Sequence, residues 1–335
     1  MHTGRSYKLS EFLFWTRRNI FFLLFMGIIP PVLYEVSDLT WIAIPFTIIA
    51  LIGTATAFLL TFRNQETYSR ASEAREIWGA TISASRSWAM TCRDYLHHED
   101  VIRDFINRHL AWLTALRYQL RTHRDWENVN KNYNKEYKRY YSVPEIVVPL
   151  EEELKKYLTG AELNSIQSAN NKATQILSLQ GSALKKLRQE DNIEEFRFLA
   201  MHDKLKDFSD HQGRSERIKN FPYPRQYATV NNLFVKLFCI LLPFGLLEEF
   251  DKLNNGVTGI LQGQMTWFVV PFSVLISWVF TSLEQVGEST ENPFEGSAND
   301  VPISQMSRSA EIDIRQMLGE TDLPSPFPMT NNIIL

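Results

Sequence analysis

An uncharged and strongly apolar stretch runs from residue 42 to residue 62 and passes without a break into the charged segment RNQETYSR. Its 21 residues, IAIPFTIIALIGTATAFLLTF, contain no Asp, Glu, Lys or Arg. At ~1.5 Å per residue, a helix of this length spans the roughly 30 Å hydrocarbon core of a bilayer. Proline, glycine and threonine residues occur at intervals within this stretch, and small or hydroxyl side chains favour close helix packing in membranes. The pattern predicts a transmembrane helix with one face against protein or water.

Three isoleucines recur every fourth residue in this stretch: Ile44, Ile48 and Ile52. On a helix they would form one stripe, with about 6 Å between successive side chains along the axis. If several copies of the helix surrounded one axis, the stripe would become stacked apolar rings, which can gate an ion path by dewetting. The stripe could instead pack against a neighbouring helix or face lipid, and the spacing alone favours this simpler role.

Three further apolar segments predict membrane spans at about 18–36, 230–248 and 265–283. Pro30 and Pro31 predict that the far end of the first of these departs from regular helix. Arg17 and Arg18 precede the apolar run 20–34 of the first span, and Arg63 follows the second span, whereas the connection 35–41 carries two acids and no base. By the positive-inside rule, both termini then lie in the cytosol, and the protein is a multi-pass membrane protein.

The polar middle of the chain predicts a helical domain, because charged helix-forming runs dominate it and no alternating strand pattern occurs. The predicted organisation is an N-terminal segment with the first hairpin at 1–63, a cytosolic domain at 64–228, the second hairpin at 229–285 and a cytosolic tail at 286–335. The fold class is therefore all-α, with four transmembrane helices.

Composition and motifs exclude several classes of function. The formal net charge is −3, which gives no reason to expect a nucleic-acid partner. Cys92 and Cys239 suggest no disulfide framework, and the adjacent His97 and His98 point about 100° apart on a helix, so they suit a surface turn better than a metal site. With no phosphate-binding loop or nucleophile elbow either, we expect no enzyme activity, cofactor or metal.

The sequence resembles the bacterial branch of the bestrophin family in its membrane segments, in its tail and around GRSERIKNFPYP at 213–224. The matching motifs are Ile44-Pro45-Phe46-Thr47-Ile48, Phe62-Arg63-Asn64-Gln65 with Tyr68 and Arg70, Glu73-Ala74-Arg75, Trp78-Gly79, Asn292-Pro293-Phe294, and Asn299-Asp300-Val301-Pro302. Residues from about 125 to 185 match no motif of the family.

The resemblance implies a homopentameric ion channel whose second span lines a central pore. In that family, three apolar side chains form the pore neck, and they correspond here to Ile44, Ile48 and Ile52. A second constriction, the cytosolic aperture, corresponds by position to Phe196, with Phe198 as the next choice. The resemblance thus favours the ring interpretation of the isoleucines.

Two further groups of residues acquire expected roles. Near the inner mouth, Arg63, Glu73 and Arg75 would form a structural ion-pair network or attract permeant ions, and the structural role is favoured. The segment with Asn292, Pro293, Phe294 and Asp300 would lock the tail against the cytosolic domain. Animal bestrophins bind calcium just after this motif, but only Glu295 and Asp300 supply carboxylates here, which makes a calcium site doubtful.

The ionic selectivity stays open at this stage, because isoleucine carries no charge. The family favours anions such as chloride, and a channel selective for sodium or other monovalent cations is the alternative. A scaffold or receptor that conducts nothing is a further alternative, and so is a carrier. The expected partners are four further copies of the chain, the lipid bilayer and small monovalent ions.

Overall fold

The computed structural model describes residues 1–335, and all of its regular elements are helices. The α-helices are α1 (Leu9–Val36), α2 (Phe46–Tyr95), α3 (Glu99–Arg121), α4 (Asn132–Tyr137), α5 (Pro144–Val147), α6 (Leu150–Leu154), α7 (Gly160–Gln167), α8 (Lys172–Gln189), α9 (Glu195–Asn220), α10 (Arg225–Leu253), α11 (Val269–Thr290) and α12 (Ile303–Met317). Extended pairing is limited to isolated bridges from Ile333 to His2 and to Thr330. The all-α prediction is confirmed.

Four helical segments are long and apolar enough to cross a membrane: Leu9–Val36, Thr40–Tyr95, Arg225–Leu253 and Met265–Thr290. The chain divides into two compact units. The membrane unit consists of residues 5–69 and 223–291, and the polar unit consists of residues 1–4, 70–222 and 292–335. The predicted four spans are therefore present, and each lies wholly or partly in the membrane unit.

Helix α1 differs from the prediction at both ends. It begins at Leu9, ahead of the predicted span, and it continues through Pro30 and Pro31 to Val36, so the predicted departure from helix is wrong. Each proline removes one backbone hydrogen bond, but both are buried where α1 packs along α10 and α11. In this environment, the packing outweighs the two missing bonds.

Helix α2 begins two residues later than an isoleucine stripe on one helix requires. Its first residue is Phe46, and Ile44 lies in the non-helical segment before it, so the prediction of three helical isoleucines is wrong for Ile44. The cause is Pro45, whose ring disfavours helical backbone angles in the preceding residue. The backbone N–H of Ile44 instead donates to the carbonyl of Phe244, at 3.3 Å.

Two glycines allow α2 and α10 to approach closely within the membrane unit. A Cβ added to Gly53 would lie 2.7 Å from the ring of Phe238, and a Cβ added to Gly245 would lie 2.6 Å from Ile49. Since real Cβ contacts are longer than this, only glycine fits at either position without a shift. These contacts fix the rotation of α2 about its own axis, because they determine which side chains face α10.

The core of the polar unit contains most of the large buried aromatic side chains. Trp78, Trp88, Trp112, Phe105 and Phe208 are each no more than 1% exposed. The segment 125–185, which matches no family motif, contributes to the same core with side chains that include Leu154, Ile166, Ile176 and Leu184. This segment is therefore an integral part of the unit's packing.

A buried histidine in this core predicts acid sensitivity of the polar unit. His109 is enclosed by Trp88, Trp112 and Phe208, and burial lowers its pKa from 6.5 to about 3. Below pH 6.5 the unfolded chain binds a proton that the folded chain excludes, so stability falls as the pH drops from 6.5 towards 3. At pH 5 the loss is roughly 2 kcal/mol relative to neutral pH.

We expect His109→Phe to remove this component of the acid sensitivity, because phenylalanine fills the same aromatic site without a titratable nitrogen. Denaturation midpoints measured between pH 7.5 and pH 5 check this, with substitution of the exposed His98 as the control. An unchanged pH profile in His109→Phe would mean that other groups cause the acid sensitivity.

Candidate functional site

The rotation of α2 leaves a broad arc of its membrane segment uncovered in one protomer. Ile49, Leu60 and Arg63 are no more than 3% exposed and face the interior of the membrane unit. The exposed positions of the segment include Phe46, Thr47, Ile48, Leu51, Thr54, Ala55, Ala57, Phe58, Thr61, Phe62, Gln65 and Glu66. A helix with this many uncovered positions, several of them polar, needs a partner other than lipid along part of its surface.

The three isoleucines of the predicted neck differ in burial. Ile48 is 50% exposed, whereas Ile44 and Ile52 are half-buried against the apolar cluster of the membrane unit. Ile48 and Ile52 lie about 40° apart around α2, so they share the edge where the covered face meets the uncovered arc. Ile44 lies on the non-helical segment that leads into the helix. Only Ile48 and Ile52 are thus placed by helical periodicity.

Threonines at seven-residue intervals form a second edge of the uncovered arc. Thr47, Thr54 and Thr61 are all exposed, and the hydroxyls of Thr54 and Thr61 donate to the carbonyls of Ala50 and Ala57 at 2.8 and 2.9 Å. Because these hydroxyls are satisfied by their own helix, the edge is compact and needs no polar partner. Such an edge suits close packing against another helix.

The residues predicted near the inner mouth do not form one network. The Arg63 guanidinium lies 3.3 Å from a carboxylate oxygen of Glu291, which is fully buried and which also accepts from Arg225 at 2.8 Å. In the polar unit, Glu73 pairs with Arg217, and Arg75 is exposed. Arg63 is therefore part of a buried ion-pair cluster inside the membrane unit, separate from the pair formed by Glu73.

The two candidate aperture residues have different surroundings. Phe196 is the second residue of α9 and is 86% exposed. Phe198 is half-buried, packs against the apolar core of the polar unit and lies 6.0 Å from His202 between ring centroids. Phe198 thus contributes to the core, and the side chain of Phe196 is exposed.

The tail segment that was predicted to lock onto the domain is buried in the polar unit. Phe294 is 1% exposed in the main core, and the carbonyl of Pro293 accepts from the backbone N–H of Val301 at 3.1 Å. Asp300 accepts from the backbone N–H of Gly296 at 2.6 Å and from the hydroxyl of Ser297 at 2.5 Å. The side-chain amide of Asn292 donates to Glu295 at 3.5 Å.

Sequence reasoning missed the basic partners of this segment. Arg121 on α3 lies 3.0 Å from Asp300 and 3.7 Å from Glu145, and Arg117 lies 3.1 Å from the same Glu145. All four side chains are no more than 4% exposed. Arg121 and Asp300 are far apart in the sequence, so no local spacing could have indicated the pair.

A neighbouring carboxylate is also buried beside Asp300. Glu295 accepts from the backbone N–H of Asn128 at 2.9 Å, and burial together with the Asp300 charge raises the pKa of Glu295 well above its usual value. Lys219 pairs with the buried Glu127 in the same region. The carboxylates of the tail are thus engaged by backbone donors and by basic side chains.

Comparison with known proteins identifies the family. Residues 16–316 match the family described as Bacterial/Fungal Bestrophin protein. The voltage-dependent anion channel-forming protein YneE of Escherichia coli strain K12 is 30% identical over 297 residues, covering 88% of this chain and 84% of that protein. Its namesake in Salmonella typhi is 30% identical over 289 residues, covering 85% and 82%.

A solved structure supports the same conclusion. The crystal structure of a bacterial bestrophin homologue from Klebsiella pneumoniae superimposes with a TM-score of 0.75 and 26% identity, covering 91% of this chain and 98% of that one. The fold is that of a helical membrane protein with four spans, for which pentameric assembly is known. The chain belongs to the bestrophin family, whose members are ion channels rather than enzymes.

Proposed function

We propose that this protein is a homopentameric channel that passes small monovalent anions such as chloride through a neck formed by Ile44, Ile48 and Ile52. The single observation that carries the proposal is the position of Ile48, which is half exposed at the edge of α2 in a protein of the bestrophin family. The preference for anions is supported by the names of the relatives, which are called voltage-dependent anion channel-forming proteins.

The uncovered arc of α2 supports self-assembly. Its threonine edge, with Thr47, Thr54 and Thr61, lies about 100° or more around the helix from Ile48. One helix can therefore contact a neighbouring subunit through the threonines while it presents the isoleucines to a central axis. Five copies arranged in this way would stack apolar rings, which oppose ion passage through the cost of removing water from the ion.

We propose Phe196 as the cytosolic aperture, because its exposed ring at the start of α9 can reach into an aqueous path and Phe198 packs into the core. We assign the protein to the bacterial inner membrane with both termini in the cytosol. This orientation follows from the basic residues before the first span and after the second. Arg63 and its partner Glu291 serve to hold the membrane helices together, and the tail segment ending at Asp300 serves to lock the tail.

The reversal potential tests the proposed function directly. In planar bilayers that separate different concentrations of sodium chloride, currents through purified pentamers should reverse at a potential that has the sign of the chloride equilibrium potential. A reversal near the sodium equilibrium potential would identify a cation channel of the same fold. Pentamers that leave liposomes tight to ions would instead indicate a scaffold or receptor, and saturable coupled flux without unitary steps would indicate a carrier.

A further inference from the structure

Within the membrane unit, one charged residue of α2 lies on the same line of the helix as the neck. Glu66 follows Ile48 by 18 residues, which is about five full turns, so the two side chains project in the same direction about 27 Å apart along the axis. Both residues belong to the membrane unit and to one uninterrupted helix. Whatever Ile48 faces, Glu66 faces the same side.

The line between these two residues carries no other charge. Three uncharged residues lie within about 40° of this line: Ala55, Leu59 and Phe62. Ala55 and Phe62 are exposed, and Leu59 is half-buried. Arg63, the other charged residue of α2 within the membrane unit, faces the interior and is 3% exposed. Glu66 is therefore the first ionisable group on this edge beyond the apolar stretch.

The carboxylate of Glu66 forms no ion pair within the protomer. It is exposed and takes part in no ion pair, whereas Glu284 and Glu291 of the same unit are paired with Arg63, and Glu291 also with Arg225. The negative charge of these two is thus offset by the buried guanidinium group of Arg63 and the exposed one of Arg225. The negative charge of Glu66 extends into the solvent on the side that Ile48 faces.

We propose that Glu66 is a specificity-determining residue of the pore. This rests on the proposed function, because five copies of α2 around one axis turn the single carboxylate into a ring of five at the inner end of the membrane segment. The ring raises the local concentration of cations, lowers that of anions and so reduces the permeability of chloride relative to sodium. The neck provides the dehydration barrier, and Glu66 adds the dependence on the sign of the ion.

Neutralising the residue tests the proposal. In asymmetric sodium chloride, Glu66→Gln should move the reversal potential towards the chloride equilibrium potential, with the ratio of chloride to sodium permeability rising roughly threefold near 0.1 M salt. The direction of the shift is the same whichever ion the wild-type channel prefers. The shift should shrink at 1 M salt, where the Debye length falls to about 3 Å.

A thiol variant allows the charge to be set within one recording. In Glu66→Cys, a positively charged methanethiosulfonate should raise the chloride-to-sodium permeability ratio above that of the unmodified variant, and a negatively charged one should restore the wild-type ratio. The native Cys92 and Cys239 are buried, so the wild-type channel serves as the unreactive control. Gln65→Cys, about 100° around the helix, is the matched control and should respond less.

The outcomes separate this proposal from the proposed function. Wild-type pentamers that carry no current would overturn the pore assignment and the role of Glu66 with it. A normal wild-type current with an unchanged reversal potential in Glu66→Gln, or equal responses at positions 65 and 66, would overturn the role of Glu66 alone.

Discussion

Replacing Ile48 with alanine should raise the unitary conductance or the open probability of the channel severalfold. The side chain is half exposed in one protomer, so its truncation removes little packing within the fold. In a pentamer the substitution widens one ring by five side chains at once, and a barrier lowered by about 1.4 kcal/mol corresponds to a tenfold faster passage. Single-channel recording in symmetric salt measures the effect, and Ile48→Ala/Ile52→Ala should exceed the single variant.

Two further variants separate the pore role of Ile48 from general effects. Ile49→Ala removes the adjacent side chain, which is 1% exposed against Gly245, and should cost about 2 kcal/mol or more of stability without widening the pore. Ile48→Thr keeps the branched shape and adds a hydroxyl, so a dewetting barrier predicts larger currents here as well. Currents that are unchanged in both Ile48 variants would contradict the neck assignment.

The membrane helices could be predicted from the sequence because a bilayer leaves few alternatives. A spanning segment must satisfy its backbone hydrogen bonds internally, so a long apolar run that crosses the bilayer is expected to be helical. The errors occurred at prolines. Pro45 displaced Ile44 from the helix, whereas Pro30 and Pro31 remain within α1. The difference depends on what packs against each proline, and the sequence does not contain that information.

The rotation of α2 and the charge clusters were beyond prediction for a related reason. Gly53 on α2 lies against Phe238 on α10, and Gly245 on α10 lies against Ile49 on α2. These two contacts determine which face of α2 is covered, and each joins residues that are far apart in the sequence. Once the rotation of α2 is known, helical periodicity predicts which other residues of the helix face the same side as Ile48. It places Glu66 there from its sequence position alone. Sequence periodicity thus relates positions on one helix, and tertiary packing decides what those positions face.

The largest expected change in the stability of the polar unit follows from a substitution of Asp300. Its carboxylate lies 3.0 Å from Arg121, and both side chains are no more than 2% exposed. Asp300→Asn preserves the size of the side chain and removes its charge. Two buried guanidinium groups, Arg117 and Arg121, would then share the single carboxylate of Glu145.

Removing one partner of a buried ion pair leaves an uncompensated charge, so we expect Asp300→Asn to lower the free energy of unfolding by about 3 kcal/mol. The loss should appear as a lower denaturation midpoint and as faster proteolysis of the tail after residue 317. The control is Glu151→Gln, which removes a carboxylate from an exposed pair with Lys155 and should cost at most about 0.5 kcal/mol. If the two variants proved equally stable, Asp300 would not be the group that holds the tail to Arg121.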